Sequence, residues 1–562
     1  MPKPAPAAAA LQRGAFDAQR PRRAVWLGRP SLLQVAAACA ATAALASVAV
    51  TLIRLPALLA AVYRNSDASA ISYIAQGLAT GHGPQLLPTQ TSVAVVWFDE
   101  LLQWLPRDIR MGVEYWTGPA LSLIAGLLAV RTAALVTGRR GAIWLAVLFA
   151  VVPAAVLWPL LFPDNHVTTY LGAALLAWLL VHDLRDGPRL SRSLVVGAGS
   201  GLFVVTDPQL IVFGLVPWLV ATFLMRRHLS APQARSALVT ATAAVAGSGL
   251  TLLVMASQGI RTVDILPGSG GGAAGSVSMA LRGAGWIFSG SWYGDALTPA
   301  SAALCAAVAA GLIAVLIRGR AVRSEASDGG GDERRALRAY RAFWASAALC
   351  LLAAFVLLGY GGAGPLSAHY LVGCYFALAA VLASAPGLRR TPANASRAAR
   401  ALAVAALAAF AVYAGNTAAR TAALDAAQYD LRLHVPAAMD PLPVLLGHHL
   451  QRGYAGYWEA YDLDWRSGGR LSVWPLLAGA RACSGSAGSL CAYSLAPAGE
   501  YTPSRGPTFL ITPWAGGWCG ASTPSVDLFG PPRAVYTAGP YTISVYAYDV
   551  AARFGRTTGL FC

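Results

Sequence analysis

Residues 31–62 read SLLQVAAACAATAALASVAVTLIRLPALLAAV, one long apolar stretch near the start of the chain. Its first 23 residues, Ser31–Ile53, carry no charged side chain. About 20 apolar residues in a helix cross the core of a bilayer, whereas the apolar part of a signal peptide is shorter. The stretch therefore predicts a first transmembrane helix, bent at Pro56, where a backbone hydrogen bond is lost. The Ala/Pro/Arg-rich residues 1–30 predict a disordered tail.

Similar stretches recur along the chain. Of its 562 residues, 56% are hydrophobic and 12% are charged, whereas soluble domains carry roughly 25% charged residues. The mean hydropathy is +0.54. We predict a mainly α, polytopic transmembrane helix bundle over residues 31–416, followed by a separate domain over residues 417–562. The eleven predicted spans of the bundle cover approximately residues 31–62, 118–137, 142–160, 167–182, 193–206, 209–225, 237–257, 298–317, 342–360, 368–386 and 399–416.

The basic residues predict the orientation of the bundle. The formal net charge is +17, but Arg residues fall in short clusters between apolar runs, which argues against a nucleic-acid-binding face. With eleven spans, the segments on the N-terminal side hold 25 Lys and Arg, and the loops on the other side hold five. Loops rich in Lys and Arg stay in the cytoplasm. This predicts a cytoplasmic N-terminus and, since eleven is odd, a C-terminal domain outside.

The eight cysteines form two groups. Those within apolar spans act as small hydrophobic residues; they are Cys39, Cys305, Cys350 and Cys374. The other four lie in the polar C-terminal region and allow three disulfide pairings. We predict Cys483–Cys491 and Cys519–Cys562, because these two pairs close without crossing. Disulfides require an oxidising compartment, which agrees with an outside domain. Strand-like residues 508–512 and 541–548 and helix-like residues 441–451 predict a small α/β fold.

Two long loops are predicted on the outer side. Loop 63–117 carries two segments with apolar residues at helical spacing, which predict helices in the membrane interface. The apolar positions are Ile71, Ile74, Ala75 and Leu78 in the first, and Val93, Val96, Trp97, Leu101 and Trp104 in the second. Loop 258–297 is Gly-rich at 268–275 and then carries Trp286, Trp292 and Tyr293, which predicts a mobile flap.

Acidic and His residues gather at the predicted outer ends of the spans. Asp67 follows the first span, Asp164 and His166 separate the third and fourth, and Asp207 separates the fifth and sixth. His369 and Tyr370 begin the tenth span. A carboxylate there could take a proton from an attacking hydroxyl, and Arg or His could neutralise a phosphate. Alternatively, the Asp residues could cap helices, and His369 could hydrogen-bond at the interface.

This arrangement resembles the GT-C class of membrane glycosyltransferases. The shared features are an Asp directly after span one, two interfacial helices in that loop, an Asp/His loop after span three, an Asp-Pro between short spans, and an outside C-terminal domain. Within the class, the chain is similar to bacterial relatives of protein O-mannosyltransferases and of the lipid A aminoarabinose transferase. Residues 453–461, GYAGYWEAY, are similar to a segment of uncharacterised bacterial members.

The resemblance implies transfer of a sugar from a polyprenyl-phosphate donor in the bacterial plasma membrane to a glycan, lipid or protein acceptor outside. The family's catalytic Asp corresponds to Asp67, and Asp164 and Asp207 are further candidates. Arg64, His166 or Arg282 would bind the donor phosphate, and His369 and Tyr370 are further candidates for that role. No metal or other cofactor would be required, because a phosphate leaving group needs only charge neutralisation.

One departure concerns the mannosyl donor and the protein acceptor. Protein O-mannosyltransferases show Asp-Glu in the first loop, whereas Asp67 is followed by Ala68. Two other functions remain open. A transporter or flippase would place ionisable residues near the middle of the membrane and often shows repeated halves. A scaffold for lipid-linked glycans would use the outside domain to bind a partner.

Overall fold

The computed structural model describes residues 31–62, 66–81, 86–88, 91–163, 166–263, 272–299, 301, 303–305, 331–359, 365–384, 397–424, 440–478, 490–492, 501–512 and 529–553. Helices dominate as far as residue 424. They are α1 (Leu32–Val62), α2 (Ser66–Ala79), α3 (Val93–Leu102), α4 (Arg107–Ala150), α5 (Ala154–Leu161), α6 (Val167–Arg185), α7 (Leu190–Thr206), α8 (Val216–Met225), α9 (Ala231–Ser257), α10 (Ala273–Ser289), α11 (Gly331–Leu357), α12 (Val372–Ala383) and α13 (Arg397–Ala423).

The prediction of a membrane-type helix bundle is confirmed in its coarse form. Six helical segments of the described chain are long and apolar enough to cross a membrane. They lie within α1, α4, α6, α9 and α11 and in a segment formed by a π-helical turn, Ile211–Leu215, together with α8. Two shorter apolar helices, around α7 and α12, accompany them. The predicted span 298–317 lies largely outside the described residues.

The predicted spans 118–137 and 142–160 take a different form. Helix α4 begins at Arg107, eleven residues earlier than predicted, and continues to Ala150 across a kink at Gly138, whose φ is 73°. The separate helix α5 follows after Pro153. The early start is explained by packing, because the first turns of α4 contact the C-terminal domain described below, and a hydropathy pattern does not register such contacts.

Helices α7 and α9 pack closely through small residues. Gly201 lies so near α9 that a Cβ there would overlap the carbonyl oxygen of Ala244. Gly197 faces Thr240 in the same way. Small residues let two helix backbones approach within van der Waals contact, which is how helices associate when the surroundings are as apolar as the side chains.

Both helices predicted in loop 63–117 are present as α2 and α3. Most of the predicted apolar positions pack between the two helices, whereas Leu101 and Trp104 of the second segment are exposed. Ile71 and Ile74 of α2 and Val93 and Val96 of α3 are buried in one core with Met255 of α9. A short parallel pair, β1 (Leu86–Pro88) with β2 (Arg261–Val263), joins the same two parts of the chain. Burial removes these apolar side chains from water, and this stabilises the packing of α2 on α3.

The predicted flap is wrong for the part of loop 258–297 that the structure describes. Residues 273–289 form helix α10, and Trp286, Trp292 and Tyr293 are buried in the main core of the bundle. The Tyr293 hydroxyl donates to the carbonyl of Ala155 at 2.5 Å, and the Trp286 indole donates to the carbonyl of Asp295 at 2.8 Å. The aromatic side chains therefore anchor the segment, which the glycine content alone did not indicate.

The C-terminal domain has the predicted α/β fold. A mixed six-stranded sheet has the order β5-β4-β3-β6-β8-β7. Its strands and helices are α14 (Leu442–Gly447), β3 (Arg452–Gly456), α15 (Tyr457–Ser467), β4 (Ser472–Ala478), β5 (Leu490–Ala492), β6 (Thr508–Thr512), β7 (Ala534–Ala538) and β8 (Tyr541–Tyr546). Strands predicted at 508–512 and 541–548 are confirmed, and α14 occupies the first part of the predicted helix 441–451.

Helix α15 connects two neighbouring parallel strands of this sheet. Strand β3 pairs in parallel with β4, and α15 makes the crossover between them. The stretch 453–461 therefore forms the end of β3 and the start of α15. Both predicted disulfides lie outside the described residues, because Cys483, Cys519, Cys562 and the side chain of Cys491 are not described.

Candidate functional site

Helix α15 attaches the C-terminal domain to one end of the helix bundle, which we call the domain end. The ring of Tyr461 lies 5.0 Å from that of Tyr73 on α2. Trp465 contacts Tyr115 on α4 edge-to-face at 5.5 Å. The Arg107 guanidinium donates to the carbonyl oxygens of Trp465 and Arg466 at 3.2 and 3.3 Å. A cation at the carbonyl end of a helix is favourable because that end carries partial negative charge.

A cleft opens between α2, α3 and α4 at the domain end. It is a small depression that is partly open to solvent. The lining combines apolar side chains with two acidic residues and two hydroxyls: Ile71, Ser72, Val95, Phe98, Asp99, Glu114, Thr117 and Pro163.

Two buried carboxyl groups, Asp99 and Glu114, dominate the cleft; each is 4% exposed. Glu114 accepts hydrogen bonds from the Ser72 hydroxyl at 2.7 Å and from the Trp465 indole at 3.1 Å. Arg110 forms an ion pair with it at 3.4 Å. Among the described residues, no donor reaches Oδ2 of Asp99. Glu114 therefore accepts hydrogen bonds on both oxygens, whereas Oδ2 of Asp99 accepts none from the described residues.

The surroundings change the acidity of Asp99. Burial, the negative charge of Glu114 and the hydrogen bond between the two carboxyl groups raise the pKa of Asp99 to about 8. Ser72 and Arg110 act in the opposite direction, and their effect is smaller. Asp99, which lies beside a second carboxyl group in a poorly hydrated site, therefore keeps its proton near neutral pH.

A second cluster lies at the start of α6. His166 directly precedes the helix in a left-handed conformation, with φ 59°. Its Nδ1 lies 2.9 Å from Oδ1 of Asp207. Thr169 donates to Oδ2 of Asp207 at 2.5 Å, and the backbone N–H of Gln209 donates to Oδ1 at 3.3 Å. Both oxygens of Asp207 are thus engaged, and the ring of His166 is held in one orientation.

Aromatic rings surround His166. Its ring stacks on that of His369 at 6.1 Å and lies 5.4 Å from that of Tyr370. Trp158 contacts His369 edge-to-face at 5.9 Å. Nε2 of His166 is buried and has no hydrogen-bond partner among the described residues. Because Asp207 engages Nδ1, Nε2 is the nitrogen of His166 that is left to meet a ligand.

The structure brings together four of the eight residues predicted for the site: Asp207, His166, His369 and Tyr370. Arg282 lies on α10 with an exposed side chain. Asp67 is the second residue of α2, but its side chain lies outside the described residues. Arg64 and Asp164 lie outside them entirely.

The sequence predictions missed the pair of Asp99 and Glu114. Two signals for it were present. Asp99 and Glu100 form an Asp-Glu dipeptide within the first loop, whereas Asp67 is followed by Ala68. Glu114 follows Arg110 by four residues, a spacing that brings opposite charges together on a helix. The segment 93–104 was interpreted only through its apolar positions.

No family model matches the chain, and no curated protein is significantly similar to it. Within the described part of the chain, no group of three or more His, Cys, Asp or Glu residues is arranged to hold a metal ion.

Proposed function

We propose that the chain is an integral membrane glycosyltransferase that moves a sugar from a polyprenyl-phosphate donor to an acceptor hydroxyl. The domain end would face the outer side of the plasma membrane, consistent with the distribution of Lys and Arg. The observation that carries the proposal is the buried pair of Asp99 and Glu114 in a cleft beneath an attached domain. Strongly perturbed carboxyl groups in a cleft are typical of acid–base sites.

In the proposed reaction, Asp99 is the general base. The acceptor oxygen forms a bond to the anomeric carbon of the sugar while the bond from that carbon to the phosphate oxygen breaks. The hydroxyl proton passes to the Asp99 carboxylate, and the polyprenyl phosphate departs with the electron pair. A base is most effective when its pKa lies near the working pH, and the pKa of Asp99, about 8, meets this condition better than that of an ordinary carboxylate.

His166 would stabilise the departing phosphate. Asp207 holds the His166 ring through Nδ1, which leaves Nε2 as the ring nitrogen that would meet the phosphate. Asp207 then acts as a positioning residue and not as the base, since both of its oxygens already accept hydrogen bonds. The two clusters belong to the same end of the bundle, because Pro163 lines the cleft and His166 follows it by three residues.

Sugar transfer by the purified full chain, with a panel of synthetic polyprenyl-phosphate sugars, tests the proposal. We expect Asp99→Asn to lower the transfer rate by about 100-fold or more, the usual contribution of a general base. Asp108→Asn is the matched control, because Asp108 is exposed on the same part of the chain. Both variants should bind donor lipid as the wild type does.

Three other results would contradict parts of the proposal. Full activity of Asp99→Asn would move the base elsewhere, with Asp67 and Asp164 as the next candidates. An equal loss in Asp99→Asn and Asp108→Asn would indicate a general effect of lost charge. Absence of transfer with every donor, together with movement of donor lipids across reconstituted vesicles, would favour a flippase.

A further inference from the structure

Trp465 reaches from the C-terminal domain into the carboxyl pair of the bundle. Its indole Nε1 donates to Oε2 of Glu114 at 3.1 Å. Ser72 and Arg110, which contact the other oxygen of Glu114, both belong to the bundle. Glu114 is thus held from two sides, by its own helix bundle and by a residue more than 350 positions away.

Several contacts fix Trp465 in this place. Its ring meets Tyr115 at an interplanar angle of 82°. Its carbonyl oxygen accepts a hydrogen bond from Arg107. The next residue, Arg466, forms ion pairs with Asp440 and Asp462 within the C-terminal domain. Both the ring and the backbone of Trp465 are therefore anchored, so the indole donor is directed at Glu114 and has little freedom to turn away.

We propose that Trp465 is a positioning residue for the pair of Asp99 and Glu114, so that the site is complete only while the C-terminal domain is attached to the bundle. The indole fixes the orientation of the Glu114 carboxylate, and this orientation determines how Glu114 faces Asp99. The domain would then contribute to the chemistry directly, in addition to any contact it makes with an acceptor.

The hydrogen bond has a consequence that can be measured. A donor to a carboxylate favours its ionised form. Without the indole N–H, the negative charge beside Asp99 is less well compensated, so the pH at which Asp99 loses its proton should rise by about one unit. A purely structural role for Trp465 would change stability without moving this pH.

The test uses Trp465→Phe, which removes the N–H and keeps a ring against Tyr115. Trp474→Phe is the matched control, because Trp474 lies in the same domain and packs on Tyr454 and Arg452 instead. The infrared band of protonated carboxyl groups is followed against pH in the full chain and assigned by its loss in Asp99→Asn. We expect an upward shift of the midpoint in Trp465→Phe alone.

A second pair of variants separates positioning from unfolding. In a Glu114→Gln background the indole no longer has a carboxylate to stabilise, so adding Trp465→Phe should leave the Asp99 titration where Glu114→Gln alone puts it. An unchanged midpoint in Trp465→Phe, or an equal shift in Trp474→Phe, would overturn the proposal.

Only the catalytic meaning of this inference rests on the proposed function. The infrared titration does not require activity, so a shifted midpoint in a protein without sugar transfer would support the positioning role and reject the glycosyltransferase. In an active protein, the pH dependence of the transfer rate should shift upward with the infrared midpoint.

Discussion

Asp99 and Asp207 are both buried carboxyl groups at the domain end, but their surroundings are opposite. Asp207 accepts hydrogen bonds on both oxygens from neighbours that hold it in place. Asp99 faces another carboxyl group, and Oδ2 receives no hydrogen bond from the described residues. A buried acid without support destabilises a fold, and such residues tend to persist where function needs them. This contrast favours Asp99 as the reactive group.

The loss of folding stability caused by burying Asp99 depends on pH. Its pKa rises from the ordinary value of 3.8 to about 8 on folding, so the folded protein keeps a proton that the unfolded chain loses. Stability is therefore unaffected below about pH 4 and falls as the pH rises toward 8, where the full penalty is reached. We expect Asp99→Asn to raise the thermal unfolding midpoint at pH 9 and to change it little at pH 4.

Thermal unfolding of both proteins in one detergent at the two pH values checks this expectation. Asp108→Asn again serves as the control and should be neutral at both. An Asp99→Asn variant that is less stable than the wild type at pH 9 would mean that its neighbours stabilise the ionised Asp99, which would contradict its assignment as the reactive group.

At the scale of single elements, the pairing of α7 with α9 gives a clear prediction. A Cβ at Gly201 would overlap the Ala244 carbonyl oxygen and lie 2.7 Å from the amide nitrogen of Ser248. Gly201→Ala should therefore push the helices apart and destabilise the bundle by about 1–3 kcal/mol. A Cβ at Gly199 would meet nothing within 4 Å, so Gly199→Ala should be neutral or slightly stabilising, since Ala favours helix.

The two variants differ only in which face of α7 receives the methyl group. Unfolding midpoints measured in the same detergent should therefore move in opposite directions or differ clearly in size. Equal effects would show that helix propensity, and not close contact with α9, determines the role of these glycines.

Elements with a local signal could be predicted, and those created by packing could not. Helices α2 and α3 follow from apolar spacing, β6 from its short apolar run TFLIT, and β8 from its Val, Ile and Tyr residues. Helix α10 was missed because its glycines suggested a flap, whereas its buried Trp286 holds it in the core. The first turns of α4 were missed because their partner, α15, lies far along the chain.

The same limit applies to the candidate site. His166 and Asp207 could be predicted because each follows or precedes an apolar span, and ends of spans meet at one side of a bundle. The pair of Asp99 and Glu114 depends on how α3 packs against α4, and its third partner, Trp465, comes from another domain. Sequence spacing carries no information about the contact between Glu114 and Trp465, which are more than 350 positions apart.

At the scale of the whole molecule, the bundle and the C-terminal domain meet where α15 contacts α2 and α4. Arg107 connects the two parts by binding the carbonyl end of α15. Gly468 follows that helix end with φ 73°, and a Cβ there would overlap the guanidinium group of Arg107. The absence of a side chain at position 468 is thus a condition for the Arg107 contact.

Gly468→Ala and Gly469→Ala separate this contact from backbone strain. Both glycines have a positive φ, 73° and 74°, but a Cβ at Gly469 would meet nothing within 4 Å. Each substitution should destabilise the domain by about 1–2 kcal/mol through the left-handed backbone alone. Only Gly468→Ala should also displace Arg107 and loosen α15 from the bundle.

Hydrogen exchange along α2 and α15 in the full chain distinguishes the two effects. We expect faster exchange at the contact between these helices in Gly468→Ala than in Gly469→Ala, together with a lower rate of sugar transfer. The transfer rate should fall because Trp465 moves away from Glu114 when α15 loosens. Equal exchange and equal transfer in the two variants would mean that Arg107 does not hold the domain, and the dependence of the site on domain attachment would then have to come from the ring contacts of Tyr461 and Trp465 alone.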